Sequence, residues 1–291
     1  MPTPISHSQI EEFNRCQRRW AYRKVLGLSP DGEDETALHY GDAVHLGLED
    51  IGRSYLEGTT STQPQAALLK VRERLAQLGE HSLVDLAESH LQGFVQHFLP
   101  GFLSEWRITA VEREVEHVVG EMHWRGKIDL EAINQRTGVH AVFDYKTSSA
   151  QYARELTRSI TSSHQFANYC ISHWRRNGSW PGAVGYIFLG KPRTKTPQNM
   201  CRPENFFMEV RDVSPQIAQF AISVEQADRA VTTIMAQIRS GVGYYGAGFL
   251  DHVPADFGAC SKFGSTCGFS AGCHAGNPLH QQIAERQRRR T

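Results

Sequence analysis

Residues 126–148 read GKIDLEAINQRTGVHAVFDYKTS, and they constrain the fold more than any other stretch. Apolar and polar residues alternate through Lys127, Ile128, Asp129, Leu130 and Glu131, the period of a half-buried strand. Gln135 to Gly138 supply a turn, after which VHAVFDYKT (139–147) resumes an apolar run. Together with AVEREVEHVVG (110–120) and MHWRGKIDLEAI (122–133), this makes three neighbouring strand-like segments and predicts an antiparallel meander. Side chains alternate across a strand, so Asp144 and Lys146 share one face while Phe143 and Tyr145 take the other. Asp129 falls on the polar face of the preceding strand. A hairpin would converge two carboxylates and an ammonium, a set suited to a hard divalent cation with a lysine beside it.

Up to residue 106 the period is helical. Ser8 and Glu11 make a capping-box pattern and Ile10, Phe13, Trp20 and Ala21 an apolar stripe, predicting a helix over 8–27 that Gly27 ends. Further helices are expected over 40–58 and, with a break near Gly79, over 64–106. Beyond the meander the pattern predicts a helix over 160–176, strands over 182–190 and near 205–211, and a helix over 214–239. This order describes an α/β fold with a mixed central sheet flanked by helices. The chain reads as one domain over 1–291: an N-terminal helical region (1–106), a core (107–240), and a cysteine-containing segment with a basic tail (241–291).

Thirty-one basic residues balance thirty-one acidic ones, which excludes a chain-wide basic field of the kind that marks many nucleic-acid binders. Basic residues are concentrated locally instead, in Arg15, Arg18, Arg19, Arg23 and Lys24 and in Arg154 and Arg158, with Trp20, Tyr22, Tyr152 and Trp174 interleaved. Such a mixture suits a threaded single strand. The N-terminus has no apolar signal core and no apolar run reaches about eighteen residues, so a cytoplasmic protein without membrane contact is expected. In a reducing compartment the six cysteines are not expected to form structural disulfides. Cys260, Cys267 and Cys273 cluster with six and then five residues between them, as metal or cluster ligands would. Cys170 and Cys201 read as a small apolar helix residue and an isolated thiol.

The Asp129, turn, Asp144-x-Lys146 pattern resembles the core motif of the PD-(D/E)XK nuclease superfamily, with its restriction-endonuclease-like fold. HYGDAVHLGLE (39–49) is similar to the Gly-x-x-x-His helix of the RecB-like branch, and HQFANYCISHW (164–174) to its Gln-x-x-x-Tyr element. ISHSQIEEFNRCQRRWAYRKVLGL (5–28) resembles that branch's N-terminal signature, with Cys16, Arg19 and Trp20 or Tyr22 at its centre. The resemblance implies that His45, Asp129 and Asp144 hold Mg²⁺ or Mn²⁺, that Lys146 stands by the attacking water, and that Gln165 and Tyr169 lie on the substrate side. It further implies that Cys16 completes a four-cysteine [4Fe–4S] site with Cys260, Cys267 and Cys273, stapling the two ends of the chain together. That arrangement is similar to CRISPR-associated RecB-like exonucleases and AddB-type nucleases. On chemistry alone four thiolates suit structural Zn²⁺ equally well, and His274 keeps that reading open. Cys260 departs from the CRISPR-associated spacing, which has two residues where this chain has six. The activity implied is metal-dependent hydrolysis of DNA, as an exonuclease on single-stranded ends, with other recombination or adaptation proteins as partners. A non-catalytic DNA-end-binding subunit and a structure-selective endonuclease are the alternatives.

Overall fold

The computed structural model describes residues 4–28, 35–59, 63–119 and 122–256, together with Cys267, Phe269 and Cys273. Cys260, His274 and the terminal basic run lie outside the described residues. The chain divides into two compact units, one of Glu35–Val115 and Gly126–Val224, the other of Met1–Asp34, Glu116–Arg125 and Glu225–Thr291.

The first unit is built on strands β3 (Met122–Asn134), β4 (His140–Ser148), β5 (Ala183–Gly190) and β6 (Phe206–Asp212). β3 and β4 are antiparallel with Leu130 opposite Phe143, and Gly138 closes their turn at φ +71. β4 and β5 are parallel with Asp144 opposite Tyr186, and β6 returns antiparallel to β5. The sheet is therefore mixed, as the sequence predicts, and β2 (Trp106–Val119) pairs with β3. A parallel β4–β5 pair needs a crossover, and two helices supply it: α7 (Ala150–Ser159) and α8 (His164–Asn177). The periodicity shows one helix there; Ser149 and Ser163 each cap a separate one through their hydroxyls. β5 is buried along nearly its whole length, which is why AVGYIFLG is continuously apolar.

Helix α3 (Thr36–Glu57) turns Tyr40, Ala43, Val44, Leu48 and Ile51 inward, at the spacing of one helical face. They meet Phe143 and Tyr145 of β4, with Val71 and Leu75 of α4 (Gln63–Gln77) and Leu91 of α5 (Val84–Gly93), in one core. After α5 the backbone widens into a π turn over Phe94–Phe98 before α6 (Leu99–Glu105). Pro100 accounts for this, because it has no N–H to donate and its ring crowds the preceding turn. Gly41, the glycine of the Gly-x-x-x-His pattern, has ordinary room for a Cβ, which would lie 3.5 Å from Thr147 Oγ1. The tight position is Gly47, where a Cβ would sit 2.4 Å from Leu91 Cδ1 and 2.9 Å from Val71 Cγ2. Gly47→Ala is expected to destabilise the protein by about 1–3 kcal/mol and Gly41→Ala by much less, measured by chemical denaturation.

In the second unit β1 (Pro4–Ile5) pairs in parallel with β3, Ile5 opposite Trp124. The helix expected over 8–27 is two helices, α1 (His7–Arg15) and α2 (Gln17–Lys24). Cys16 breaks them apart with extended backbone at φ −162, ψ 109, and its sulfur takes the N-cap place by accepting the Arg19 N–H at 3.5 Å. An apolar stripe continues smoothly across such a break, so periodicity alone does not reveal it. Trp20 is fully buried, with Phe13 edge-on at 5.2 Å and the Arg239 guanidinium 5.2 Å from its ring. Arg239 lies on α9 (Pro215–Tyr245). Among the described residues no helix is long and apolar enough to cross a membrane.

Candidate functional site

The six residues singled out for the hydrolytic site all fall in the first unit, on α3, β3, β4 and α8. Asp129 Oδ2 accepts the backbone N–H of Tyr145 at 2.7 Å, which fixes the carboxylate against β4. His45 Nδ1 stands 3.5 Å from the same oxygen. As the alternation predicts, Tyr145 points into the core while its neighbours Asp144 and Lys146 pair at 2.6 Å. Gln165 locks that pair: its Nε2 donates to Asp144 Oδ1 at 2.7 Å and its Oε1 accepts from Lys146 Nζ at 3.2 Å. One helical turn on, the Tyr169 hydroxyl lies 2.9 Å from Gln165 Nε2 and donates to the Lys127 carbonyl at 2.6 Å. Gln-x-x-x-Tyr thus ties α8 to both β3 and β4.

A further residue enters that the sequence reading passed over. Donor atoms of His45, Glu112 and Asp129 all lie within 4.8 Å of one another. Asp144 stands outside this trio, held by Lys146 and Gln165. Glu112 reaches it through a backbone φ of +47, alone among the described non-glycine residues in taking a positive value. Its neighbours explain the turn: Ile108 and Ala110 are buried on one phase of β2, Val111 and Val115 on the other. The left-handed backbone at Glu112 re-aims the strand between the phases, at a cost of about 1–3 kcal/mol in a non-glycine residue. The signal was present in the adjacent apolar pair Ala110-Val111, which interrupts the alternation.

Burial pushes the Asp129 carboxyl well above the usual aspartate range, and the charges of Asp144 and Glu112 add to this against the Tyr145 N–H and Lys146. Burial likewise raises Glu112, partly offset by Lys127, whose ammonium is 3.3 Å away. Burial lowers His45 despite the attraction of Asp144, leaving a neutral imidazole able to act as a ligand. Burial alone would lower Lys146; the charge of Asp144 beside it outweighs this and raises the ammonium above its ordinary range. Asp144 Oδ2 faces that ammonium without a well-directed hydrogen bond.

Crowded, buried carboxylates with a neutral imidazole are a poor arrangement in the absence of a cation and a good one around a hard divalent ion. The donor set therefore fits a divalent metal. Bound there, the ion would act as a Lewis acid on a phosphoryl oxygen and lower the pKa of a water.

In the second unit Cys16, Cys267 and Cys273 share a different environment. Arg18 Nη1 donates to Cys273 Sγ and Arg19 Nη1 to Cys267 Sγ, each at 3.6 Å. Arg18 also donates through Nε to the Val253 carbonyl at 3.0 Å, and Tyr22 packs on Phe269 with ring centres 5.2 Å apart. These contacts join the start of the chain to its end, more than two hundred residues on. Burial raises the Cys273 thiol, opposed by Arg18. Cys170 is buried in α8 and its thiol is pushed up to about 12, while Cys201 is partly exposed.

No curated protein matches the chain. A crystal structure from Eubacterium rectale, described as a candidate exonuclease, is similar at 16% identity and a TM-score of 0.47, covering 81% of this chain and 81% of that one. The family model described as the PD-(D/E)XK nuclease superfamily matches residues 4–274.

Proposed function

Because this chain belongs to the PD-(D/E)XK nuclease superfamily, we propose that it hydrolyses DNA phosphodiesters with a divalent metal, Mg²⁺ or Mn²⁺, as an exonuclease of the RecB-like branch acting on single-stranded ends. The observation that carries this reading is the convergence of His45, Glu112 and Asp129 beside the Asp144–Lys146–Gln165 network. His45, Asp129 and Asp144 would hold the metal, with Glu112 beside His45 and Asp129 as a further donor. Lys146, fixed by Asp144 and Gln165, presents its ammonium to orient the attacking water and offset charge on the non-bridging phosphate oxygens. Water adds to phosphorus as the bond to the leaving ester oxygen breaks. Gln165 and Tyr169 keep α8 against the strands and border the substrate.

The cysteines belong to the same proposal. Cys16, Cys260, Cys267 and Cys273 ligate a [4Fe–4S] cluster, in the manner of CRISPR-associated and AddB-type RecB-like nucleases. The N–H groups of Arg18 and Arg19 aimed at two of the sulfurs support it, since such donors stabilise cluster thiolates. The family match over 4–274 supports treating the chain as one functional domain. Such a nuclease would act in the cytoplasm with recombination, repair or adaptation proteins.

The test is digestion of 5′-labelled and 3′-labelled single strands with Mn²⁺, Mg²⁺ or EDTA. Metal-dependent laddering from one end, lost in Asp144→Ala and Lys146→Ala, is the expected result. A wild type that shifts DNA in a gel yet cleaves nothing would make the protein a DNA-end-binding subunit. Internal cuts in a circular strand would make it an endonuclease.

A further inference from the structure

A second polar constellation lies on the same sheet face, in a cleft of ≈ 570 Å³. Its walls carry Arg113, Glu131, His140, His173, Arg176 and Trp180, none of which the hydrolytic chemistry uses. At its floor the buried Glu131 carboxylate holds two guanidiniums, Arg113 Nε at 3.0 Å and Arg176 Nη2 at 2.8 Å. Two guanidiniums against one carboxylate leave a net positive site. Each guanidinium carries five N–H donors, so each has some beyond the ion pair to Glu131. The His173 ring is fixed by Asn177 at 3.0 Å, and Trp180 is stacked on Trp174 at 5.6 Å with 12° between planes.

The residues of the cleft neighbour those of the hydrolytic site on three shared elements, β2, β3 and α8. Asp129 and Glu131 are two residues apart on β3, hence on one face and about 6.7 Å apart along the strand. Gln165, Tyr169, His173 and Arg176 form one stripe of α8, the first pair at the hydrolytic site and the second in the cleft. Glu112 and Arg113, consecutive on β2, divide in the same way, Glu112 to the donor trio and Arg113 to Glu131. An ordinary strand would send them to opposite faces; the positive φ at Glu112 breaks that alternation.

We infer that the Arg113–Arg176 cleft binds a nucleotide phosphate, that of the DNA residue neighbouring the scissile linkage, with Trp180 as a stacking wall for its base. A fork of guanidiniums fits a phosphate's oxygens bidentately, and a rigid aromatic beside it accepts any base. Spacing along β3 of about two residues suits one nucleotide step between the two sites. The assignment rests on the nuclease reading for the identity of the strand.

The test measures binding in EDTA, where cleavage does not occur, using a fluorescein-labelled 12-mer of deoxythymidine over a range of NaCl. Arg113→Gln/Arg176→Gln is expected to weaken binding at least about tenfold and to lower the slope of log affinity on log salt by about 1 to 2. Trp180→Leu should weaken it at unchanged slope. The exposed turn variant Arg136→Gln reports what losing a single surface charge does. Should the double variant misfold because Glu131 is stranded, Arg113→Gln/Glu131→Gln/Arg176→Gln removes all three charges together. Thymidine monophosphate as competitor separates the sources: displacement only by oligomers assigns the cleft to the strand, and displacement by the mononucleotide as well assigns it to the released product's phosphate. Unchanged affinity and slope in a folded variant would overturn the inference. Wild-type cleavage in Mn²⁺, read separately, decides the nuclease proposal whichever way the cleft experiment falls.

Discussion

Asp129→Asn is expected to reduce cleavage by at least about 100-fold while raising the melting temperature of the metal-free protein. The loss of activity follows from removing an anionic donor next to His45 and Glu112; even partners that only orient metal ligands cost about 10–100-fold when mutated. The gain in stability follows from the burial and like charge that push the Asp129 carboxyl above its ordinary range. A carboxyl raised on folding binds more protons folded than unfolded, so it lowers stability as pH rises from the ordinary aspartate range through its folded value. Asparagine is the same shape and its Oδ1 can still accept the Tyr145 N–H, so the strand contact survives. Thermal melts in EDTA at acid and alkaline pH check this: the wild type should gain on the variant as pH falls. Addition of Mn²⁺ should stabilise the wild type, by about 2.7 kcal/mol at a hundredfold excess over Kd, and the variant far less. A variant that melts lower at alkaline pH without metal would show that Asp129 serves the fold instead.

Cys16→Ser carries the second large expectation. Serine is a good N-cap, so the hydroxyl can replace the sulfur in accepting the Arg19 N–H, and the break between α1 and α2 should persist. What serine does not replace is a soft ligand. Anaerobically purified wild type is expected to be coloured and to hold about four irons, and Cys16→Ser to hold well under one. Because ligation energy is also folding energy, the variant should lose protection from hydrogen exchange in α1 and α2 selectively. Colourless wild type with stoichiometric zinc would replace the cluster with a structural Zn²⁺ site; protein with neither metal would remove the ligand assignment.

Much of the site could be read from the residues in order. Asp144 and Lys146 share a face because a strand alternates, and Gln165 and Tyr169 share one because a helix repeats near four; both pairs are in contact in the structure. Gln-x-x-x-Tyr has little meaning as a pattern by itself; what distinguishes it here is three hydrogen bonds to β-strand partners nineteen, twenty-one and forty-two residues away. Glu112 was hidden because a single positive φ changes which way a strand points its side chains, and no period reports a single dihedral. The break at Cys16 was hidden for the opposite reason, since an unbroken apolar stripe is compatible with two helices as well as one.

The sequence by itself determined the strand and helix periods, the mixed α/β class and the carboxylates and lysine that mark the superfamily, because these depend on local spacing. Only the tertiary structure decided that Glu112 stands with His45 and Asp129, that Asp144 is held by Lys146 and Gln165, and that two arginines far apart in sequence meet on Glu131. Those relations are set by a positive φ, crossovers and long-range packing, where groups distant along the chain share one small, weakly screened volume.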